Sequence, residues 1–195
     1  MRQTAETHMY QKLGGITFVA GIMALAVCAD RQASAAPAAA PTVHDWMIGT
    51  VAPHGMELSD VVLKAINDAG KPDASAMTDA DWSQIIKAAQ ALKESTGQVV
   101  GAPNMRVAAD GVKIQDEGTP GSSTAIQIQG FIDKDRPGFN TLAGALAATS
   151  DAFITAANTK DAAKLLDASS ALDSACQACH SKFWYPQQSS PPVAQ

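Results

Sequence analysis

The sequence predicts an all-α protein, and two features of the chain favour this fold class. Alanine, a strong helix former, fills much of the 195 residues, while aromatic residues make up only 5%. Apolar residues also recur three or four positions apart in four separate stretches, which is the spacing of amphipathic helices. Together these features predict an antiparallel four-helix bundle in one domain over residues 42–185.

Residues 1–35 have the pattern of a secretory signal peptide. Positively charged Arg2 and Lys12 lead into an uncharged apolar run over residues 13–29, and a small Ala-Ser-Ala sequence closes the segment. The sequence therefore predicts export to the periplasm with cleavage after residue 35. A flexible leader rich in alanine and proline is expected over residues 36–41.

Two alternatives for the N-terminal segment stay open. The apolar run falls short of the ~20 residues that a membrane helix prefers, but an uncleaved segment would anchor the protein facing the periplasm. Cys28 ends a Leu-Ala-Val-Cys sequence that approximates a lipoprotein cleavage box, although Val27 stands where such boxes have a small residue. Either alternative would tether the protein to the membrane.

The charge of the chain favours some partners and excludes others. The full sequence has a net charge of -5, and removal of residues 1–35 leaves 11 basic and 17 acidic residues, a net charge of -6. Such a surface suits a partner protein that presents lysines, so a basic docking surface is expected on the partner. No run of Lys or Arg is interleaved with aromatic residues, so nucleic acid is not predicted as a partner.

The first predicted helix covers about residues 42–69, and Pro53 is expected to kink it or split it. Residues on its inward face recur three or four apart: Val43, Met47, Val51, His54, Leu58, Val61 and Ala65. The second predicted helix begins at a Thr78 cap and ends near Gly97. Its inward face consists of Trp82, Ile85, Ala89 and Leu92.

The third predicted helix covers roughly residues 139–157, and the fourth runs from a Thr159 cap to about His180. The inward-facing residues of the fourth helix are Leu165, Leu166, Leu172 and Cys176.

The connection between the second and third helices is about forty residues long, which is unusual in a compact domain. Two short alternating runs at residues 111–115 and 124–130 flank a turn-rich stretch, and this pattern predicts a small β-hairpin. The alternative is a solvated loop. Polar and proline residues over 186–195 predict a disordered tail.

Near the end of the fourth helix, Cys176, Cys179 and His180 form a C-x-x-C-H motif. On a helix these three positions share one face, so both thiols and the imidazole can reach the same ligand. This is the spacing of c-type haem attachment, in which the thiols add to the two vinyl groups and the histidine binds the iron. The motif predicts one covalent haem c per chain.

Three other uses of the two cysteines are weaker. A disulfide between Cys176 and Cys179 would close a very short loop and restrain little of the chain. A zinc site would need further ligands, and no other cysteine follows residue 35. A thioredoxin-like redox pair belongs to an α/β setting, whereas these cysteines lie in an all-helical pattern.

With this motif on the last of four predicted helices, the chain resembles the class II c-type cytochromes, the family of cytochrome c-prime and its six-coordinate relatives. The resemblance spans residues 42–185 and implies that His180 is the proximal iron ligand. Six-coordinate relatives place a methionine near the start of the first helix on the iron, which implies Met47 here. Relatives often dimerise through their first two helices, so a homodimer is also implied.

Three further residues of the first helix are alternatives to Met47, namely His44, His54 and Met56. His44 lies near the helix start, where fraying is expected. The chain also departs from the family pattern at Lys182, which is followed by aromatic residues where a basic residue commonly pairs with a haem propionate. The long connection after the second helix is another departure.

The predicted function depends on the second axial position of the iron. If a methionine thioether fills it, the protein is an electron carrier that serves redox partner proteins. If an apolar residue fills it, the resemblance to cytochrome c-prime implies a five-coordinate haem that binds gases such as nitric oxide. A haem subunit of a larger respiratory complex is a third alternative. No nucleophile with a base and no paired carboxylates are evident, so the protein is predicted to be an electron carrier and not an enzyme, with a nitric-oxide or peroxidase side activity left open.

Overall fold

The structure of the protein, a computed structural model, describes residues 42–186. All regular elements within these residues are helices. The predicted all-α class is therefore confirmed. The predicted signal peptide, the predicted leader and nearly all of the predicted tail lie outside the described residues. Among the helices that the structure describes, none is both long and apolar enough to span a membrane.

The first predicted helix is a helical run that changes its winding three times. It consists of α1 (Val43–Trp46), a π-helical turn (Met47–Val51), α2 (Ala52–Val62) and a 3₁₀ turn (Leu63–Ala65). We call these four segments together the first helical run. The run ends at the 3₁₀ turn, a little before the predicted boundary.

Pro53 explains why the first helical run does not remain a regular α-helix. Proline has no backbone N–H to donate, and its ring crowds the carbonyl group four residues earlier in an α-helix. The backbone instead forms the wider π-helical turn, in which the N–H of Ala52 donates to the carbonyl oxygen of Met47. Pro53 then takes the first turn of α2, where its missing N–H costs least.

The second predicted helix is α3 (Asp79–Gly101), and Thr78 caps it as expected. The Thr78 side chain accepts a hydrogen bond from the N–H of Asp81, whose carboxylate accepts one in return from the backbone of Thr78. Lys64 also donates to Asp81 at 2.6 Å, and this bond lowers the pKa of the Asp81 carboxyl. The cap of α3 is thereby tied to the end of the first helical run.

The predicted hairpin is wrong, because residues 124–130 begin a helix and no strand occurs within residues 42–186. This helix is α4 (Ala125–Lys134), and its N-terminus is closed by a capping box between Thr124 and Gln127. Ile128 and Ile132, four residues apart, are buried. The apparent alternation arose because Ile126 is also apolar, yet its side chain is 85% exposed.

The third and fourth predicted helices are α5 (Arg136–Asn158) and α6 (Ala162–Cys179), and a second π-helical turn (His180–Trp184) extends α6. The predicted Thr159 cap of α6 is wrong. Asp161 takes this position and accepts a hydrogen bond from the N–H of Lys164. Thr159 instead ends α5, since the chain must still reverse direction before α6 can begin.

The helices pack so that α6 lies beside the first helical run. Contacts join α2 to α3, α3 to α5, α5 to α6, and α6 back to α2. The short α4 lies against α5 and the second π-helical turn. The largest fully buried side chains between these elements include Phe139, Phe153, Ile85, Leu92 and Leu165. This arrangement brings the start of the chain's first helical run close to the end of α6.

Candidate cofactor site

A cavity of about 480 Å³ lies between the first helical run and the end of α6. Cys176, Cys179, His180 and Met47 all line it, although Met47 is more than a hundred residues away in the sequence. The volume falls within the range of about 300–1,000 Å³ that is typical of cofactor pockets. The structure therefore brings the four predicted site residues together around one space.

The end of α6 presents the C-x-x-C-H motif to this cavity. Cys179 is buried, Cys176 is half-buried, and both thiols are free. His180 follows as the first residue of the second π-helical turn, and its ring lies 6.1 Å from the ring of Trp184. Because the helix places the three motif residues on one face, they form a continuous part of the wall.

Burial sets the protonation states of the motif. It raises the pKa of the Cys176 thiol and raises that of Cys179 to about 11. It also lowers the pKa of His180, so the imidazole is neutral at neutral pH. Protonated thiols are poor nucleophiles, which argues against a reactive redox pair. A neutral imidazole is the form that binds a metal.

We expect the two thiols of haem-free protein to react slowly with iodoacetamide. Only the thiolate reacts, and its fraction grows about tenfold per pH unit below the pKa. The alkylation rate of Cys179 should therefore keep rising until about pH 11, beyond the ordinary value of 9.0. Mass spectrometry of timed samples measures the rate, with protein unfolded in denaturant as the control. A plateau below pH 9 in the folded protein would contradict the burial of this thiol.

The first helical run supplies the other wall, and it separates the four candidates for a distal ligand. Met47 is half-buried and begins the first π-helical turn on the cavity wall. Met56 also lines the cavity, but its side chain is 67% exposed at the rim. His54 does not line the cavity, and its Nδ1 lies 3.1 Å from Glu57 Oε2. Met47 and His44 are therefore the enclosed candidates.

His44 is held firmly, and the expectation of a frayed helix start is wrong. Thr42 and Asp45 form a capping box around the first turn. The N–H of His44 donates to the carbonyl oxygen of Val107 at 2.8 Å, and the neighbouring N–H of Val43 donates to Arg106 at 2.9 Å. Its Nδ1 atom is buried without a hydrogen bond. An enclosed polar atom without a hydrogen bond is rare in folded proteins, so it marks His44 as a candidate functional residue.

The connection after α3 forms part of the cavity wall, and sequence reasoning missed this role. Ile114 and Gln115 line the cavity from that segment. The segment is held to the motif end of the chain because the hydroxyl of Tyr185 donates to Asp116 Oδ2 at 2.9 Å. Only Ile114, an apolar residue in a polar stretch, signals this placement in the sequence.

Of the three aromatic residues after His180, one is buried in the core and two line the cavity. Phe183 is fully buried, and its ring lies 5.6 Å from that of Phe139. Trp184 and Tyr185 line the cavity beside His180. On the other wall Trp46 also lines the cavity, and its indole nitrogen donates to Ser95 at 3.0 Å. The polar atoms of Trp46 and Tyr185 are thus hydrogen-bonded, and the aromatic rings present apolar surface to the cavity.

The residues around the cavity fit a covalently attached haem. Two thiols and a neutral imidazole lie on one wall, and a thioether and the unpaired His44 nitrogen lie on the other. Among the described residues, no group of three or more His, Cys, Asp or Glu side chains could hold a metal ion alone. Comparisons with family models, curated proteins and solved structures find no match.

Proposed function

We propose that the protein is a periplasmic c-type cytochrome that transfers single electrons, with the class II architecture of a four-helix bundle. The first helical run, α3, α5 and α6 would form the bundle, because each of them packs against two of the others. One observation supports this function above the rest: a single cavity is lined by both cysteines, by His180 and by Met47.

Four residues of the chain would hold one haem c, two by covalent bonds and two as ligands of the iron. Cys176 and Cys179 would hold the group on α6 through thioether bonds, each thiol S–H adding across one vinyl group, with sulfur on one carbon and hydrogen on the other. His180, neutral because of burial, would offer a ring nitrogen to the iron as proximal ligand. Met47 would offer its sulfur as distal ligand. The bound haem supplies an iron that gains and loses one electron.

The surroundings of these ligands favour electron transfer over substrate chemistry. The cavity wall is mostly apolar, with contributions from Leu92, Leu142, Leu146 and Leu172. Such a wall limits the access of water, and a methionine–histidine pair of ligands raises the reduction potential. No sequence feature suggests a nucleophile with a base, so we assign no enzyme activity.

The two π-helical turns support the assignment of both axial ligands. Met47 opens the turn Met47–Val51, and His180 opens the turn His180–Trp184. Single π-helical turns are rare within helices and occur frequently at functional sites. Each proposed iron ligand thus begins one of these irregular turns, and both turns contribute residues to the cavity wall.

Absorption spectra of the purified protein test this function against its main alternative. An electron carrier with a thioether ligand shows a weak long-wavelength sulfur-to-ferric-iron band, and its reduced form resists carbon monoxide. Rapid binding of carbon monoxide by the reduced protein would instead indicate a five-coordinate haem that binds gases such as nitric oxide. Stable co-purification with membrane proteins would indicate a subunit of a larger respiratory complex.

The location and the partner of this cytochrome follow from its sequence. Cleavage after Ala35 would release an acidic protein into the periplasm, where a redox partner with a basic surface could dock. N-terminal sequencing of the mature protein should therefore begin at Ala36. A start at lipid-modified Cys28 or at Met1 would place the protein on the membrane instead. Sedimentation of the holoprotein would show whether it forms the homodimer that the resemblance implies.

A further inference from the structure

We propose that His44 binds a haem propionate through its Nε2 atom, an inference that rests on the proposed function above. His44 would help to position the haem, in addition to the covalent bonds and the iron ligands. Three observations support this role: the enclosed position of His44, the charges around the cavity, and the spacing between His44 and Met47.

The surroundings of the His44 ring leave one nitrogen for a bound group. Nδ1 is buried and makes no hydrogen bond, although Asp45 Oδ1 lies 3.5 Å from it. The ring itself is 19% exposed and lines the cavity. Because Nδ1 is enclosed next to Asp45, we assign Nε2 as the nitrogen that meets a group in the cavity.

The backbone holds His44 in this place. The capping box of Thr42 and Asp45 fixes the first turn of α1, with Thr42 Oγ1 donating to Asp45 Oδ2 at 2.7 Å. The hydrogen bonds from Val43 and His44 to residues 106–107 secure the same turn against the connection after α3. The imidazole is therefore pre-positioned on the cavity wall, so that little conformational freedom is lost when it binds.

The charges around the cavity point to a propionate as the group that His44 binds. A haem brings two carboxylates, but the described residues that line the cavity include no lysine or arginine. Asp60 and Asp173 also line it and would repel a propionate. His44 and His180 are the two imidazoles of the lining, and His180 is the proposed iron ligand. His44 is thus the one imidazole of this lining that is left to pair with a propionate.

Lys182 is not available for this role in the structure. Its Nζ donates to Asp135, and it lies 5.3 Å from the centre of the Phe183 ring. Gly138 leaves room for this ion pair, because a Cβ atom there would lie 2.6 Å from Lys182 Nζ. The basic residue that follows the motif histidine therefore pairs within the protein and does not line the cavity.

The spacing between His44 and Met47 allows both to contact one haem. The residues are three positions apart, which separates them by about 5 Å along a helix and places them on nearly the same face. Met47 can therefore meet the iron while His44 meets the periphery of the same group. Both side chains line the cavity that contains the C-x-x-C-H motif.

The test combines one measurement on the unaltered protein with one matched pair of variants. In reduced, diamagnetic holoprotein, nuclear Overhauser effects should connect the ring protons of His44 to the propionate methylene protons. His44→Phe keeps an aromatic ring but removes the hydrogen-bond donor, so the propionate keeps more of its negative charge, ferric iron is favoured and the reduction potential should fall. His54→Phe is the control, because His54 lies outside the cavity lining. It should leave the potential unchanged.

Each outcome separates this inference from the function on which it rests. Absence of the Overhauser effects, or equal potentials for His44→Phe and the unaltered protein, would refute the role of His44 while leaving the cytochrome intact. If His44→Phe loses the six-coordinate haem spectrum that the unaltered protein shows, the role of His44 at the propionate is also refuted, because His44 would then be an iron ligand. An unaltered protein that carries no covalent haem would refute the proposed function itself. The Overhauser measurement does not depend on the folding of any variant.

Discussion

Replacing Cys176 and Cys179 together by serine should abolish covalent attachment of haem. In the proposed cytochrome the two thioether bonds would be the covalent links between the chain and the haem, and serine hydroxyls do not form them. We expect the double variant to lose all haem on extraction with acidified acetone, whereas the unaltered protein keeps it. Either single variant should keep haem through its one remaining thioether bond, in lower yield.

A neighbouring substitution provides the control for the double variant. Ala178 lies between the two cysteines but is exposed on the other side of α6. Ala178→Ser introduces the same hydroxyl group within the motif and should keep a full complement of haem. Haem that survives extraction from the double variant would show that another residue holds it covalently.

Met47→Ala should convert the protein from one that resists carbon monoxide to one that binds it fully. The variant removes the proposed distal sulfur, so the long-wavelength band should disappear and the reduced iron should become accessible. Visible spectra before and after addition of carbon monoxide measure both changes. Loss of the thioether should also lower the reduction potential.

Met56→Ala is the matched control, because Met56 lines the same cavity but is largely exposed at its rim. It should leave the band and the response to carbon monoxide unchanged. A change in Met56→Ala with none in Met47→Ala would move the distal ligand to Met56. If neither variant changes the spectrum, neither methionine is the ligand and His44 becomes the next candidate.

Local signals explain which parts of the fold were predictable. Thr78 followed by Asp81 is a capping box that can be read directly from the sequence, and α3 begins there. The same kind of signal was present at Thr124 and Gln127, but the alternation of Ile126 and Ile128 favoured a strand. Over so short an apolar run the two periods cannot be told apart, and burial of Ile128 with Ile132 decides for a helix.

In the candidate site, likewise, some residues are positioned by local helix geometry and others by contacts with distant parts of the chain. The motif of Cys176, Cys179 and His180 lies within one helical turn, so its shared face follows from helix geometry alone. The place of Ile114 on the cavity wall depends on how a distant segment packs. The pairing of Lys182 with Asp135, and the buried nitrogen of His44, likewise depend on tertiary contacts that no spacing rule encodes.

The intact mass of protein produced with a haem-attachment system decides whether the chain is a c-type cytochrome. The mass should equal that of the processed chain plus one haem, bound through Cys176 and Cys179. Peptide mapping should place the added mass on the segment that contains both cysteines. An unmodified mass, with the two thiols free or joined in a disulfide, would contradict the assignment.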